Sequence, residues 1–119
     1  MPKICLKQLQ NIYQQRSRHN WHIAVDLAAH DFDLDLSNMD LSGINDWRNV
    51  DFAGINLTNA NFHSCKLSGA SFQGANLTGA NFTKTNIIGL TKINAAQLST
   101  ISIDASTLPP VLKRKLAMA

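Results

Sequence analysis

The middle of the chain repeats every five residues, and this period constrains the fold more than any other feature of the sequence. Eight units follow one another without a gap from Val50 to Gly89, beginning VDFAG, INLTN and ANFHS. Three further units, LDLSN, MDLSG and the longer INDWRN, extend the repeat back to Leu34. Because a period of five does not follow the about 3.6 residues per turn of an α-helix, this segment is not an amphipathic helix.

Every unit has the same internal order of residue types. Position one is small or apolar, position two is polar, position three is large and apolar, and positions four and five favour turns. The spacing of positions one and three is that of a short strand with one buried face. Since a strand of about three residues buries little surface alone, the units are expected to stack into a solenoid around the position-three side chains. The predicted core is Leu36, Leu41, Trp47, Phe52, Leu57, Phe62, Leu67, Phe72, Leu77, Phe82 and Ile87.

This repeat closely resembles the pentapeptide-repeat family, whose consensus is roughly Ala-Asp/Asn-Leu-x-x. The stretch ANLTGANF at Ala75–Phe82 fits that consensus at every position. The resemblance implies a right-handed quadrilateral parallel β-helix with four units per coil, which gives this chain about three coils of an all-β core. The core side chains are then expected in four columns: Leu36–Leu57–Leu77, Leu41–Phe62–Phe82, Trp47–Leu67–Ile87 and Phe52–Phe72.

Both ends of the chain are predicted to be helical caps, because a solenoid otherwise exposes apolar faces and strand edges at its ends. Residues 3–30 are predicted to be helical, with Asn20 capping a second helix and Trp21 plugging the first coil. After the repeats, we expect a short helix capped by Thr91 and a basic turn or tail from Pro109. The predicted segments are an N-terminal helical cap (1–31), the β-helix (32–90) and a C-terminal helical cap with a basic tail (91–119).

Charge is unevenly distributed along a chain whose net charge is only +3. Residues 31–51 contain six aspartates and one arginine, whereas the segments on either side are basic. On the stacked arrangement, one aspartate lies on each of the four faces of the first coil. We therefore predict partner-binding residues at Asp35, Asp40, Asp46 and Asp51, together with Trp21 at the end of the solenoid.

Two groups of side chains have spacings that metal sites use. His19, His22, Asp26 and His30 fall on one helical stripe, which is a spacing that zinc ligands adopt. The aspartates of residues 31–40 resemble a calcium loop, but the glycine and the glutamate that an EF-hand loop requires are absent. Both groups are more simply explained as solvated polar faces, and we expect no metal and no cofactor.

Neither nucleophilic catalysis nor nucleic-acid binding is favoured by the remaining motifs. His63 and Ser64 adjoin Cys65, but the repeat register points Cys65 into the core and the other two outward. A packed solenoid offers no water-excluding cleft, so we expect no enzyme activity. The basic run Lys113–Lys115 has no aromatic residue near it for base stacking, so direct nucleic-acid contact is not favoured.

The features together predict a non-enzymatic protein-interaction module or scaffold subunit whose partner is another protein of unknown identity. The alternative, which the resemblance supplies, is a DNA-mimicking factor that protects or inhibits a topoisomerase such as gyrase. DNA mimicry requires a continuous negative stripe, whereas only one coil is acidic here. Membership of a larger complex and homo-oligomerisation both stay open. With two cysteines, no secretory signal and no apolar run of about 18 residues, a cytoplasmic location is expected.

Overall fold

A computed structural model describes residues 2–16, 21–44, 46–87, 89–90, 92–104 and 108–117, with the main chain alone for 115–117. Helices α1 (Leu6–Gln15) and α2 (Ile23–Ala29) precede the repeats, and α3 (Ala95–Leu98) and α4 (Pro110–Ala117) follow them. Between the helices, the described residues form isolated parallel β-bridges rather than longer strands. No helix within these ranges has the length and apolar character needed to cross a membrane.

Within the repeats, the bridges join residues that are four units apart. Asp35 pairs in parallel with Asn56, which pairs in turn with Asn76. We call residues 34–54, 55–74 and 75–94 the first, second and third coils. The four faces are defined by their bridged position-two residues: face one is Asp35–Asn56–Asn76, face two is Asp40–Asn61–Asn81–Ser102, face three is Asp46–Lys66–Asn86 and face four is His22–Asp51–Ser71–Lys92.

The position-three side chains fill the interior of the stacked coils. All eleven are between 0 and 2% exposed. On face four the rings of Phe52 and Phe72 stack nearly parallel with their centroids 5.0 Å apart, and on face two those of Phe62 and Phe82 lie 5.2 Å apart. Aromatic pairs at such distances add to the stabilisation that burial alone provides. Small buried residues at position one, such as Ala60, leave room for these rings.

The stacking satisfies nearly every backbone amide of a repeat unit. The amide of position one closes a turn on the preceding unit, that of position two points to the preceding coil, and those of positions three and five point to the next coil. In the unit 55–59 these bonds are Ile55 N–Phe52 O (3.1 Å), Asn56 N–Leu34 O (2.9 Å), Leu57 N–Asn76 O (2.8 Å) and Asn59 N–Thr78 O (2.9 Å). Only the amide of position four is left without a main-chain acceptor. Because a buried or half-buried amide needs a hydrogen-bond partner, another group must accept from it.

Position five adopts the left-handed conformation in every repeat unit except MDLSG, where Gly43 does not have a positive φ. Gly79 has φ of 73° and Asn59, one coil below it, has φ of 58°. Glycine and asparagine tolerate this region better than other residues, which explains why they recur at this position. Gly79 is further constrained by packing, because an added Cβ would lie 2.1 Å from Asn59 Oδ1.

The N-terminal segment packs on the first coil and extends its ladder on one face. The Trp21 ring stacks on Trp47 with centroids 6.3 Å apart, and the Asp51 amide donates to Trp21 O at 2.8 Å. The second of the two helices predicted within 3–30 begins later than expected, because His22 lies in the ladder and precedes α2 as its N-cap residue. Asn20, the predicted cap, lies outside the described residues.

The C-terminal segment continues the ladder past the last pentapeptide. Lys92 bridges Ser71 and Ser102 bridges Asn81, each across 21 residues instead of 20. Helix α3 begins after Asn94, whose side chain accepts a hydrogen bond from the Gln97 amide at 2.8 Å. The predicted cap Thr91 lies outside the described residues, and Asn94 takes the capping role because its oxygen reaches the third helical amide.

Replacing Phe72 by alanine is expected to lower the free energy of unfolding by about 3–5 kcal/mol, because the ring is buried against three other phenylalanines. Chemical denaturation followed by circular dichroism measures the change. The adjacent exposed variant Gln73→Ala is the control and should stay within about 0.5 kcal/mol of the parent protein. A Phe72→Ala loss below about 1 kcal/mol would contradict the packed aromatic core.

Candidate functional site

The outward position-two residues perform a structural task that the repeat pattern alone did not reveal. Their side-chain oxygens accept a hydrogen bond from the position-four amide, which is the one amide of a unit that has no main-chain acceptor. Asn76 Oδ1 accepts from the Thr78 amide at 3.1 Å, and Asp51 Oδ1 accepts from the Ala53 amide at 2.8 Å. Such Asx turns explain why aspartate, asparagine and serine recur at this position. Each of the four candidate aspartates therefore has a structural role as a turn acceptor in addition to its charge.

Two of the four aspartates have a cationic or ionisable neighbour within hydrogen-bonding distance. Arg48 Nε lies 2.9 Å from Asp46 Oδ1, and the Asp46 carboxylate raises the pKa of the guanidinium through that hydrogen bond and its charge. His22 Nδ1 lies 2.8 Å from Asp51 Oδ2. The negative charge of face three is consequently offset by Arg48 next to where it arises, whereas on face four the Asp51 carboxylate contacts an imidazole ring.

The other two aspartates, Asp35 and Asp40, make no ion pair within the described part of the chain. Hydrogen bonds from the Ser37 side chain and amide lower the pKa of Asp35, with a smaller contribution from the charge of Lys3. Hydrogen bonds from the Ser42 side chain and amide lower the pKa of Asp40. Both carboxylates are therefore ionised at neutral pH, and they concentrate negative charge on faces one and two.

Trp21 is not available as a partner contact, which corrects one of the predicted site residues. The side chain is only 6% exposed, and its Nε1 donates to Asp26 Oδ2 at 2.5 Å. Asp26 is in turn held by a two-bond ion pair with Arg16. These bonds hold the indole against Trp47 and largely away from solvent.

Lys66 departs from the rule at position two. Among the eleven repeat units it is the one position-two residue whose side chain has no oxygen, and within the described residues no hydrogen bond reaches the Ser68 amide two positions later. Lys66 is exposed on face three, between Asp46 and Asn86 in the ladder. The sequence pattern contained this signal, but its meaning depended on recognising the Asx turn.

The residue pairs that suggested metal binding or catalysis are occupied by other interactions. His30 Nδ1 lies 2.8 Å from the Asp26 carbonyl oxygen, and no cluster of three metal-ligating side chains occurs among the described residues; His19 lies outside them. The His63 ring contacts Thr83 Oγ1 at 2.6 Å. Cys65 is 1% exposed, and burial, with a smaller contribution from Asp40, raises the pKa of its thiol to about 11.

A shallow groove of about 170 Å³ on face four contains histidine, aspartate and serine side chains. His22, Asp51 and Ser71 lie along one column of the ladder, with Asp51 in the middle. Two strand spacings of about 4.8 Å therefore separate the histidine from the serine, and the histidine cannot act as its base. The groove has the residue types of a catalytic triad in an order that does not support one.

The bridged coils and the buried position-three side chains define a β-solenoid with a packed interior. The family of pentapeptide repeats matches residues 46–83 in eight copies. This segment belongs to the pentapeptide-repeat family, which confirms the family predicted from the sequence. Such repeats imply a right-handed β-helix and suggest an interaction or scaffold module. No curated protein matches the chain as a relative.

Lys66→Asn is expected to increase the free energy of unfolding by about 0.5–1.5 kcal/mol, because asparagine supplies the missing acceptor for the Ser68 amide. Thermal and denaturant unfolding measure the change. Lys66→Gln is the matched control, since it removes the same charge but carries its amide one carbon too far away for the turn. An equal gain in both variants would attribute the effect to charge and contradict the Asx-turn explanation.

One of the two cysteines is expected to react with a thiol reagent in the native protein. Cys5 is exposed, whereas Cys65 is buried with a raised pKa. The reactive species is the thiolate, so Cys65 should react only when the protein unfolds. A colorimetric thiol titration should count one fast thiol, and none in Cys5→Ser. Two fast thiols in the native protein would show that the second coil is not closed around Cys65.

Proposed function

We propose that this chain is a non-enzymatic protein-interaction module that presents the acidic surface of its first coil to a basic protein partner. The carrying observation is the distribution of ionised side chains. Asp35 and Asp40 remain uncompensated by an ion pair among the described residues, while residues 52–103 contain no acidic residue at all. Interaction surfaces of opposite charge accelerate association and exclude wrong partners.

We also propose the finer architecture that this function requires: about three right-handed coils, with residues 1–31 and 91–119 acting as caps of the β-helix at 32–90. Trp21 stacked over Trp47 supports the N-terminal cap. Gln97 Nε2, which donates to the carbonyl oxygens of Phe72 and Ala75 at 2.7 and 2.9 Å, supports the C-terminal cap. Covered apolar ends would leave the outward faces and the strand edges of the first coil as the accessible binding surface.

The outward residues that follow the four aspartates along each face favour a protein partner over the mimicry of DNA. Above Asp35 and Asp40 the ladder continues with asparagine, above Asp46 with Lys66, and above Asp51 with Ser71. A mimic of duplex DNA needs one negative charge per about 1.7 Å along the axis. Charge confined to one coil suits instead a local contact with lysines or arginines, and we do not adopt the topoisomerase alternative.

The test is affinity capture of the tagged full chain from lysate of its native source, quantified by mass spectrometry. The double variant Asp35→Asn with Asp40→Asn removes two charges and keeps the turn acceptors, as asparagine does at the same position in the second and third coils. We expect it to lose a partner that the parent protein captures stoichiometrically. Raising the salt concentration should weaken the same contact.

Asp46→Asn is the matched control, because the charge that it removes is already paired with Arg48. We expect this variant to retain the partner. Retention of the partner by the double variant, or equal loss in Asp46→Asn, would contradict the assignment of binding to faces one and two.

A further inference from the structure

Two neighbouring strand edges of the first coil lack main-chain partners, and we infer that they bind an extended basic peptide segment as an added strand. The amide and the carbonyl of each position-two residue point toward the preceding coil. On face four, Trp21 O and the Ile23 amide satisfy both groups of Asp51, at 2.8 and 3.2 Å. On faces one and two, the main-chain amides and carbonyls of Asp35 and Asp40 have no hydrogen-bond partner in the described structure.

An exposed apolar side chain lies beside this open edge. Leu34 occupies position one on face one and is 40% exposed. The residues that follow it in the next two coils, Ile55 and Ala75, are 1% and 6% exposed. Leu34 therefore has the exposure of a residue whose neighbouring strand is missing, and an added strand with alternating side chains would cover it.

The negative charge at this edge favours a basic segment as the added strand. Residues 31–41 contain four aspartates and no basic residue. The Lys3 ammonium already lies against this edge, where it donates to the carbonyl and hydroxyl oxygens of Ser37 and helps to lower the pKa of Asp35. If a second copy of the chain paired with this edge through its own Asp35–Asp40 edge, aspartates would face aspartates, which is destabilising. A lysine- or arginine-bearing segment of another protein has the complementary charge.

This inference rests on the proposed function and deepens it, because it specifies how the partner is held. Addition of a strand to an open edge draws affinity from main-chain hydrogen bonds and specificity from alternate side chains. The edge of Asp35 and Asp40 offers one donor and one acceptor on each of two adjacent faces. The partner segment is accordingly extended along each face and bends at the corner that Asn38 forms, with basic residues toward the carboxylates and an apolar residue toward Leu34.

The experiment uses the full-length, isotopically labelled protein and a synthetic octapeptide of alternating lysine and valine. Amide hydrogen exchange is followed by nuclear magnetic resonance as the peptide is added. We expect the exchange of the Asp35 and Asp40 amides to slow by about tenfold or more at saturation. Two control peptides are matched to it: one with alternate backbone nitrogens methylated, which cannot complete the ladder, and one with glutamate in place of lysine. Neither should slow these amides.

Each other outcome overturns the inference in a distinguishable way. Salt-sensitive binding of the lysine peptide without amide protection, or equal binding of the methylated peptide, would leave a charge-based partner contact and remove the added strand. No binding by the peptide would also remove it, while the proposed function would still be judged by the capture of the double variant. Protection of the Asp35 and Asp40 amides that rises with protein concentration alone would identify a second copy as the occupant.

Discussion

The hydrogen-bond ladder between coils is the interaction on which the rest of this structure depends. It fixes the distance between coils, brings residues 20 or 21 apart into contact and orients every position-three side chain inward. It also leaves one amide per unit without a main-chain acceptor. The oxygen at position two supplies that acceptor, as Asn56 Oδ1 does for the Thr58 amide at 3.1 Å. The repeat pattern thus meets two requirements. The position-three residue packs the interior, and the position-two residue completes the backbone hydrogen bonds.

The ends of the solenoid follow the same requirement with different residues. Trp21 and His22 extend the ladder on face four at one end, and Lys92 and Ser102 extend it at the other. Tyr13 donates its hydroxyl to the Asp46 carbonyl at 2.6 Å, so a side chain replaces a strand on face three. On faces one and two of the first coil, the main-chain groups of Asp35 and Asp40 have no partner in the described structure, although the Lys3 side chain donates to the Ser37 carbonyl on face one. The surface with the least compensated negative charge is therefore also the surface with free backbone groups.

Much of the interior could be predicted from sequence, because every unit gives its position-three residue the same environment. Phe62 and Phe82 share a column because four units complete one coil, as the resemblance to the family implied. The pairing of His22 with Asp51 could not be predicted, since it depends on the path of a segment outside the repeats. Lys92 was missed because one added residue shifts it out of the five-residue register. The charge of the aspartates is evident from sequence, whereas their Asx turns depend on which backbone amides the ladder leaves without an acceptor.

Apart from Lys66, the outward position-two residues supply the turn acceptor in each coil, and in the first coil they also concentrate negative charge. Within the described residues, the main-chain pairing that joins the coils stops at Asp35 and Asp40. Native-state hydrogen exchange of the protein alone tests this claim most directly. We predict slow exchange for the amides of Asn56, Asn61 and Asp51 and fast exchange for those of Asp35 and Asp40. Equal protection of all five amides would contradict the account.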